Sequence, residues 1–230
     1  MVTLLIVAST LGRDGTSRFI TYLANNLTKS NKVRVKLLFF RNISEDSKSM
    51  LDDDVEVSCL EVQGKLWSSF YKILNNVLNS KADFCLFGFH QLLWLSLINF
   101  VFHLFGIKIL LRDTIIPSLF HASESRLRTI INRIAYRKYD YIIAQSKDMF
   151  DDLSTNWRCD KDKMMVINNP VDINSVNNSV GDCPQELLDK HIYTFIAAGR
   201  LAYQKGYDII IERMSEMKSN LNFNLLVLVS

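Results

Sequence analysis

Short, continuously apolar runs alternate along this chain with longer segments whose apolar residues recur at helical spacing. The strand-like runs cover residues 3–8, 33–40, 84–88, 108–111, 141–144 and 164–167. Most lack polar alternation, as strands buried on both faces should. Between them the periodicity predicts helices over 17–29, 66–79, 91–105, 123–139 and 147–153. Strand and helix alternating at this spacing describe βαβ units, so the expected fold is α/β, a Rossmann-like, doubly wound parallel sheet. After Asn169-Pro170 the chain becomes polar and turn-rich through 174–184, which reads as a linker. A second set follows, with strand 193–198, helix 207–217 and strand 223–229. The expected division is an N-terminal domain over 1–180. Residues 181–230 then hold a linker and the opening β-α-β of a second, incomplete Rossmann-like domain.

One segment breaks the pattern. Residues 84–107 contain no Lys, Arg, Asp or Glu, a run comparable with the ~20 residues that cross a bilayer as a helix. Gly88, His90 and Gln91 interrupt it early and separate a strand from a shorter helix. In that helix Ser96, Asn99 and His103 form one narrow polar stripe and the rest is apolar. The segment therefore reads as a helix buried in a large fold, with a membrane-resting face as the alternative.

Composition narrows the class. With 230 residues, 48% of them hydrophobic, and only eight glycines and three prolines, the chain is neither disordered nor low-complexity. A net charge of +3 is too small to indicate a nucleic-acid partner. Cys59, Cys85, Cys159 and Cys183 are too widely spaced for a zinc ribbon or a redox dithiol, and His90, His103, His121 and His191 form no ligand motif. We expect no metal and a reducing compartment. The apolar start has no basic residues before it, which argues for a first strand rather than a signal peptide. Charge is uneven: residues 1–41 hold seven Lys/Arg and one Asp, whereas 42–62 hold seven Asp/Glu and one Lys. The acidic block reads as a solvated loop.

Candidate chemistry sits where strands end. Gly12 to Arg18 joins the first strand to a helix, and a glycine-containing turn before a helix N-terminus suits an anion as well as it suits an ordinary turn. His90 follows the strand 84–88, on the side where open parallel sheets bind ligands; a satisfied core histidine is the plainer reading. Arg112-Asp113 ends the next strand, where Arg112 can bind phosphate or simply pair with a neighbouring acid. The helix from 123 carries Arg126, Arg133 and Arg137 on one face and Leu127, Ile130, Ile131 and Ile134 on the other. A solvated basic face is the ordinary interpretation, and an anionic membrane or lipid phosphate the functional one. The sharpest motif is Gly199-Arg200-Leu201-Ala202-Tyr203-Gln204-Lys205-Gly206, between a strand and a helix. Two cations five residues apart on a glycine-bounded loop can grip two phosphates, with the helix dipole adding to their field. No Gly-Lys-Ser/Thr follows, so this is not a Walker loop.

These motifs resemble those of the retaining glycosyltransferases of the GT-B fold (glycosyltransferase group 1, family 4-like), which use nucleotide-sugar donors. Gly199-Arg200-Leu201, Lys205-Gly206 and Asp208 resemble the family's G-R-L-x-x-x-K-G-x-D motif, and Asn168-Asn169-Pro170-Val171-Asp172 its N-G-V-D segment. Asp140 to Ser146, the strand leading to His90 and the Gly12–Arg18 loop are similar to family segments too. The resemblance implies that Arg200 and Lys205 bind the donor diphosphate without a metal or other cofactor, with Gly15 and Thr16 near the same phosphates. It implies His90 as the catalytic-site histidine, touching the transferred sugar, and Arg112 and Arg126 on the acceptor side. It also implies retention of configuration and a glycan or polyprenyl-diphosphate-linked acceptor. The protein would be cytoplasmic, with possible peripheral contact at the inner membrane face. The family's glutamate-x(7)-glutamate segment is missing before Ser230, so we expect a C-terminally truncated enzyme with negligible activity on its own. The competing class is a non-catalytic remnant binding an acceptor or a partner protein.

Overall fold

The computed structural model describes residues 1–12, 15–62, 70–87, 95–178, 192–199, 201–216 and 223–228. It divides into two compact units, Met1–Val171 and Asp172–Ser230.

The first unit is a seven-stranded sheet of β1 (Val2–Ala8), β2 (Val33–Phe39), β3 (Glu56–Cys59), β4 (Phe84–Phe87), β5 (Lys108–Arg112), β6 (Tyr141–Ala144) and β7 (Met164–Val166). Every pairing is parallel and the order is β3-β2-β1-β4-β5-β6-β7. The helices are α1 (Gly15–Lys29), α2 (Glu45–Lys48), α3 (Phe70–Asn79), α4 (Asn99–Leu104), α5 (Pro117–Phe120), α6 (Arg126–Arg137) and α7 (Lys147–Thr155).

The absence of polar alternation now has its structural cause. Leu5 and Val7 join one core with Ile73 and Val77 of α3, Tyr136 of α6 and Leu153 of α7. Their neighbours Ile6 and Ala8 join a second core with Ile20 and Ala24 of α1. Successive side chains point to opposite faces, and both faces are covered, so consecutive positions in the strand centres are apolar. The sheet is doubly wound.

Three local expectations are corrected. The acidic block is not simply a solvated loop: it contains α2 and the edge strand β3. Lys36 of β2 faces Glu56 of β3 in register, with Nζ 3.1 Å from the carboxylate, and Lys29 Nζ lies 3.2 Å from Asp52. The charge asymmetry therefore joins a basic strand to an acidic edge. Such exposed pairs contribute at most about 1 kcal/mol each, so they select register more than they stabilise. Next, the helix expected over 91–105 is shorter among the described residues, while the strand before it stands as expected. The uncharged run holds β4, a 3-10 turn over 95–98 and the short α4. Among the described residues no helix is long and apolar enough to cross a membrane.

The third correction concerns which faces are inside. Ser96 Oγ donates to the Ala135 carbonyl at 2.6 Å, Asn99 Nδ2 to the Lys138 carbonyl at 2.9 Å, and His103 Nε2 lies 2.9 Å from Asp140 Oδ1. The polar stripe faces the protein, and Phe100 and Leu104 face outward. On α6 the buried residues are Asn132, Ala135 and Tyr136, while Leu127, Ile130 and Ile134 are exposed.

The second unit contains α8 (Ile173–Asn178), β8 (Tyr193–Ala198), α9 (Tyr207–Ser215) and β9 (Phe223–Leu228), with β8 and β9 parallel.

Candidate functional site

In a parallel sheet of this order, the connections from β1 and β4 leave in opposite directions, and the gap between them at the carboxyl edge receives ligands. Val7 of β1 pairs with Phe87 of β4, so the two strands end level. The loop after β1 leads into α1, whose first turn contains Gly15 and Thr16 and no acidic side chain. Gly12 N donates to Ser17 Oγ at 2.8 Å, and Ser17 is buried, which ties this loop to the helix it feeds. Ser47 Oγ donates to the Leu11 carbonyl at 3.1 Å and holds it from the other side. Gly15 is exposed and Thr16 half-buried. His90 begins three residues beyond β4 and lies outside the described residues, as do Arg13 and Asp14.

Next along the same edge, the ends of β5, β6 and β7 are sewn together by polar side chains. Arg112 is buried, and its guanidinium carbon lies 3.4 Å from the centre of the Phe19 ring on α1. Its terminal nitrogen donates to Asn169 Oδ1. Gln145 Nε2 donates to the Asp113 carbonyl, and Asn168 Nδ2 donates to the Gln145 carbonyl at 2.9 Å. The Asp113 carboxylate accepts from Thr114 N at 2.9 Å and from the Tyr136 hydroxyl. Burial lowers the Arg112 pKa to about 10, with the Asp113 charge opposing that fall. Burial, aided by Asp113, pushes the Tyr136 phenol well above its ordinary range.

Arg112 and Asp113 therefore do not form the simple strand-end ion pair that adjacency suggests; each has other partners. Phe19, Tyr136, Gln145, Asn168 and Asn169 enter this network, and sequence reasoning gave none of them a role. Three of them stood inside quoted motifs, the only signal available. Ser146, the serine after β6, caps α7 by accepting from Met149 N at 3.2 Å. Arg126 opens α6 on the surface, with Ser125 as its N-cap.

In the second unit, β8 is followed by Gly199, with φ +144°, a conformation closed to other residues without strain. A β-carbon there would stand 2.9 Å from Lys205 Cε and 3.3 Å from Nζ, because the lysine folds back over the glycine. Tyr207 hydroxyl donates to the Gly199 carbonyl at 3.1 Å. Gly206, with φ +62°, turns the chain from a 3-10 turn at Tyr203–Lys205 into α9. The Lys205 ammonium is thus held beside the carboxyl end of a parallel strand and next to a helix N-terminus. Arg200 lies outside the described residues. Among the described residues no group of three His, Cys, Asp or Glu could hold a metal ion.

A doubly wound sheet with an anion-suited loop at its switch point, joined to a second βαβ with a cation at its strand end, defines a Rossmann-like protein of two units. Residues 13–175, more than half of the chain, match the model of Glycosyltransferase Family 4, and the chain belongs to that family. Among solved structures, it is similar to Anabaena HepE in complex with UDP and glucose, at 15% identity and a TM-score of 0.69. The match covers 99% of this chain and 60% of that one. Sucrose-phosphate synthase from Thermosynechococcus elongatus matches at 11% identity and TM-score 0.70, over 99% of this chain and 62% of that one. The lipopolysaccharide outer core galactosyltransferase WaaB, in its apo form, matches at 16% and 0.63, over 99% and 60%. At these identities the likeness establishes the shared fold, that of GT-B glycosyltransferases. The chain spans about three-fifths of the length of these structures. No curated protein matches the sequence.

Proposed function

We propose that this chain is the acceptor-side domain and the start of the donor-side domain of a glycosyltransferase using a nucleoside diphosphate sugar. The observation that carries this reading is Lys205 folded over Gly199 at a strand's carboxyl end, in a chain of Glycosyltransferase Family 4. Its support from relatives is that HepE is described in complex with UDP and with UDP-glucose.

In this reading the bond from the anomeric carbon to the diphosphate oxygen breaks, and its electron pair leaves with the nucleoside diphosphate. The acceptor hydroxyl forms the new glycosidic bond and gives its proton to the departing diphosphate. Negative charge grows on the leaving phosphate, and Arg200 and Lys205 stabilise it there. Preorganised charge aimed at such a site is worth several kcal/mol of barrier, about 3–4 for one well-placed donor in other systems. Gly15 and Thr16 also serve the donor phosphates, and His90 contacts the transferred sugar. The two cations meet the diphosphate charge without a metal. Configuration at the transferred carbon is retained. The acceptor is a glycan or a polyprenyl-diphosphate-linked sugar, met through Arg126 and the edge that Arg112 organises, at the inner face of a membrane.

Calorimetric titration with UDP, GDP and UDP-glucose tests the donor site. Arg200→Ala and Lys205→Ala should each weaken the bound nucleotide at least tenfold, about 1.4 kcal/mol. Affinity unchanged in both variants would refute the assignment. Undiminished binding in excess EDTA checks metal independence, and the anomeric proton coupling of a transferred sugar checks retention.

A further inference from the structure

The loop between β8 and α9 is closed at its neck by a side chain that the family motif leaves free. Gly199, just after β8, has its N–H held by the Leu228 carbonyl of β9 at 2.9 Å. Its own carbonyl accepts from the Tyr207 hydroxyl at 3.1 Å, eight residues further on. Tyr207 is the first residue of α9. Helical side chains lean toward the helix N-terminus, so one in this position projects past the helix start, back toward the strand that feeds the loop. A phenol carries its donor to the far end of a long side chain, and the bond to Gly199 uses that reach.

What this bond restrains follows from the rest of the loop. The glycines at its two ends have φ +144° and +62°, and glycine restricts its own backbone least. Inside the loop the bonds are local: Lys205 N donates to the Ala202 carbonyl at 2.8 Å, and Gly206 N to the Tyr203 carbonyl at 3.1 Å. Gly206, as the N-cap, offers α9 no side chain. Local bonds shape the turn but leave it free to swing on its glycines, whereas the Tyr207 bond joins the loop's end to its beginning. Lys205 lies on the peptide so held. Its Cδ, Cε and Nζ stand 2.9–3.3 Å from the place of a β-carbon on Gly199.

We propose that Tyr207 is a positioning residue for the donor diphosphate: its hydroxyl fixes the Gly199 peptide, and through it the Lys205 ammonium, without touching the ligand. The inference rests on the reading of Lys205 as a diphosphate ligand. A cation stabilises phosphate charge best when it is already aimed before the ligand arrives. A lysine gathered from many rotamers on binding loses part of its attraction to that ordering. The hydroxyl of Tyr207 removes this loss by holding the surface against which the lysine packs.

The test is calorimetric titration of the full chain with UDP and with inorganic pyrophosphate. Tyr207→Phe deletes the hydroxyl and keeps the ring, so the circular dichroism should stay that of the wild-type chain. Affinity for both ligands should fall about fivefold, the worth of one neutral hydrogen bond. Pyrophosphate carries no nucleoside, so a loss confined to UDP would mean that Tyr207 contacts the nucleoside, and overturns the inference. In a Lys205→Ala background, Tyr207→Phe should change affinity by at most about twofold, because the group it positions is gone. A merely loosened second unit would weaken binding in both backgrounds, so an undiminished further loss in Lys205→Ala also overturns the inference. Two outcomes separate it from the donor reading. If Lys205→Ala weakens binding while Tyr207→Phe binds as the wild-type chain does, the positioning role alone is lost. If Lys205→Ala itself binds normally, the donor reading fails and takes this inference with it.

Discussion

The guanidinium carbon of Arg112 lies over the ring of Phe19, 3.4 Å from its centre, and so couples the end of β5 to α1. A desolvated cation–π contact is worth about 2 kcal/mol, and Arg112 also satisfies Asn169. Arg112→Ala should lower the unfolding free energy by about 2 kcal/mol, chiefly from the lost ring contact, since the exposed Asn169 amide can turn to water. Phe19→Leu should cost less, because it keeps the burial and loses only the ring's quadrupole. Urea denaturation reads both, and equal midpoints for Arg112→Ala and the wild-type chain would exclude a structural role for this contact.

Alkali should loosen the first unit. Burial raises the pKa of Cys85, Tyr136 and Tyr139, and that of Cys159 to about 12. An acid with a raised folded pKa contributes stability that is complete below its unfolded value and lost as pH climbs through the folded one. For the thiols the loss begins near pH 9, and for the phenols near 10, their ordinary values. Arg112 runs the other way: its folded pKa of about 10 lies below its ordinary 12.5, so its burial penalty is relieved between those values. Four groups oppose one, and thermal midpoints should fall steadily above pH 9. A midpoint flat to pH 11 contradicts this. At pH 8, Cys85 and Cys159 should resist a thiol reagent in the folded chain and react on unfolding.

Gly199→Ala should impair nucleotide binding through Lys205. The added carbon meets Lys205 Cε at 2.9 Å and cannot adopt φ +144° comfortably, so the ammonium must move. We expect a loss of about tenfold in UDP affinity, or 1.4 kcal/mol, with little change in the first unit's unfolding. Calorimetry on folded protein checks it, and wild-type affinity would show that Lys205 needs no such placement.

Asp140→Ala should free α4. One carboxylate accepts from Ile109 N at 2.8 Å and lies 2.9 Å from His103 Nε2. Hydrogen bonds to a charged group are worth about 1.5–3 kcal/mol, so amide exchange over residues 99–109 should accelerate at least tenfold. Unchanged protection there would place the anchor of α4 elsewhere, at Ser96 or Phe102.

Most of the strands were legible because they are short runs dominated by apolar residues. The second unit's site was legible because two cations and two glycines stand close together in sequence. β3 was hidden: four residues with one acid and one serine carry little apolar signal, and only Lys36 on the neighbouring strand explains them. The Arg112 network was hidden for a different reason. Its members lie up to 150 residues apart, from Phe19 to Asn169, and nothing local marks a side chain that will be buried by a distant helix.

By itself, then, the sequence determined the alternation of strand and helix, the burial of both sheet faces and the cation pair around Gly199. Period and proximity are local properties, and the backbone obeys them locally. Only the tertiary structure decided that β1 and β4 lie side by side, creating a switch point where the strands ending at Ala8 and Phe87 meet. It also decided that the apolar stripe of α6 faces outward, because an amphipathic pattern states that two faces differ, and packing against distant residues settles which one is covered.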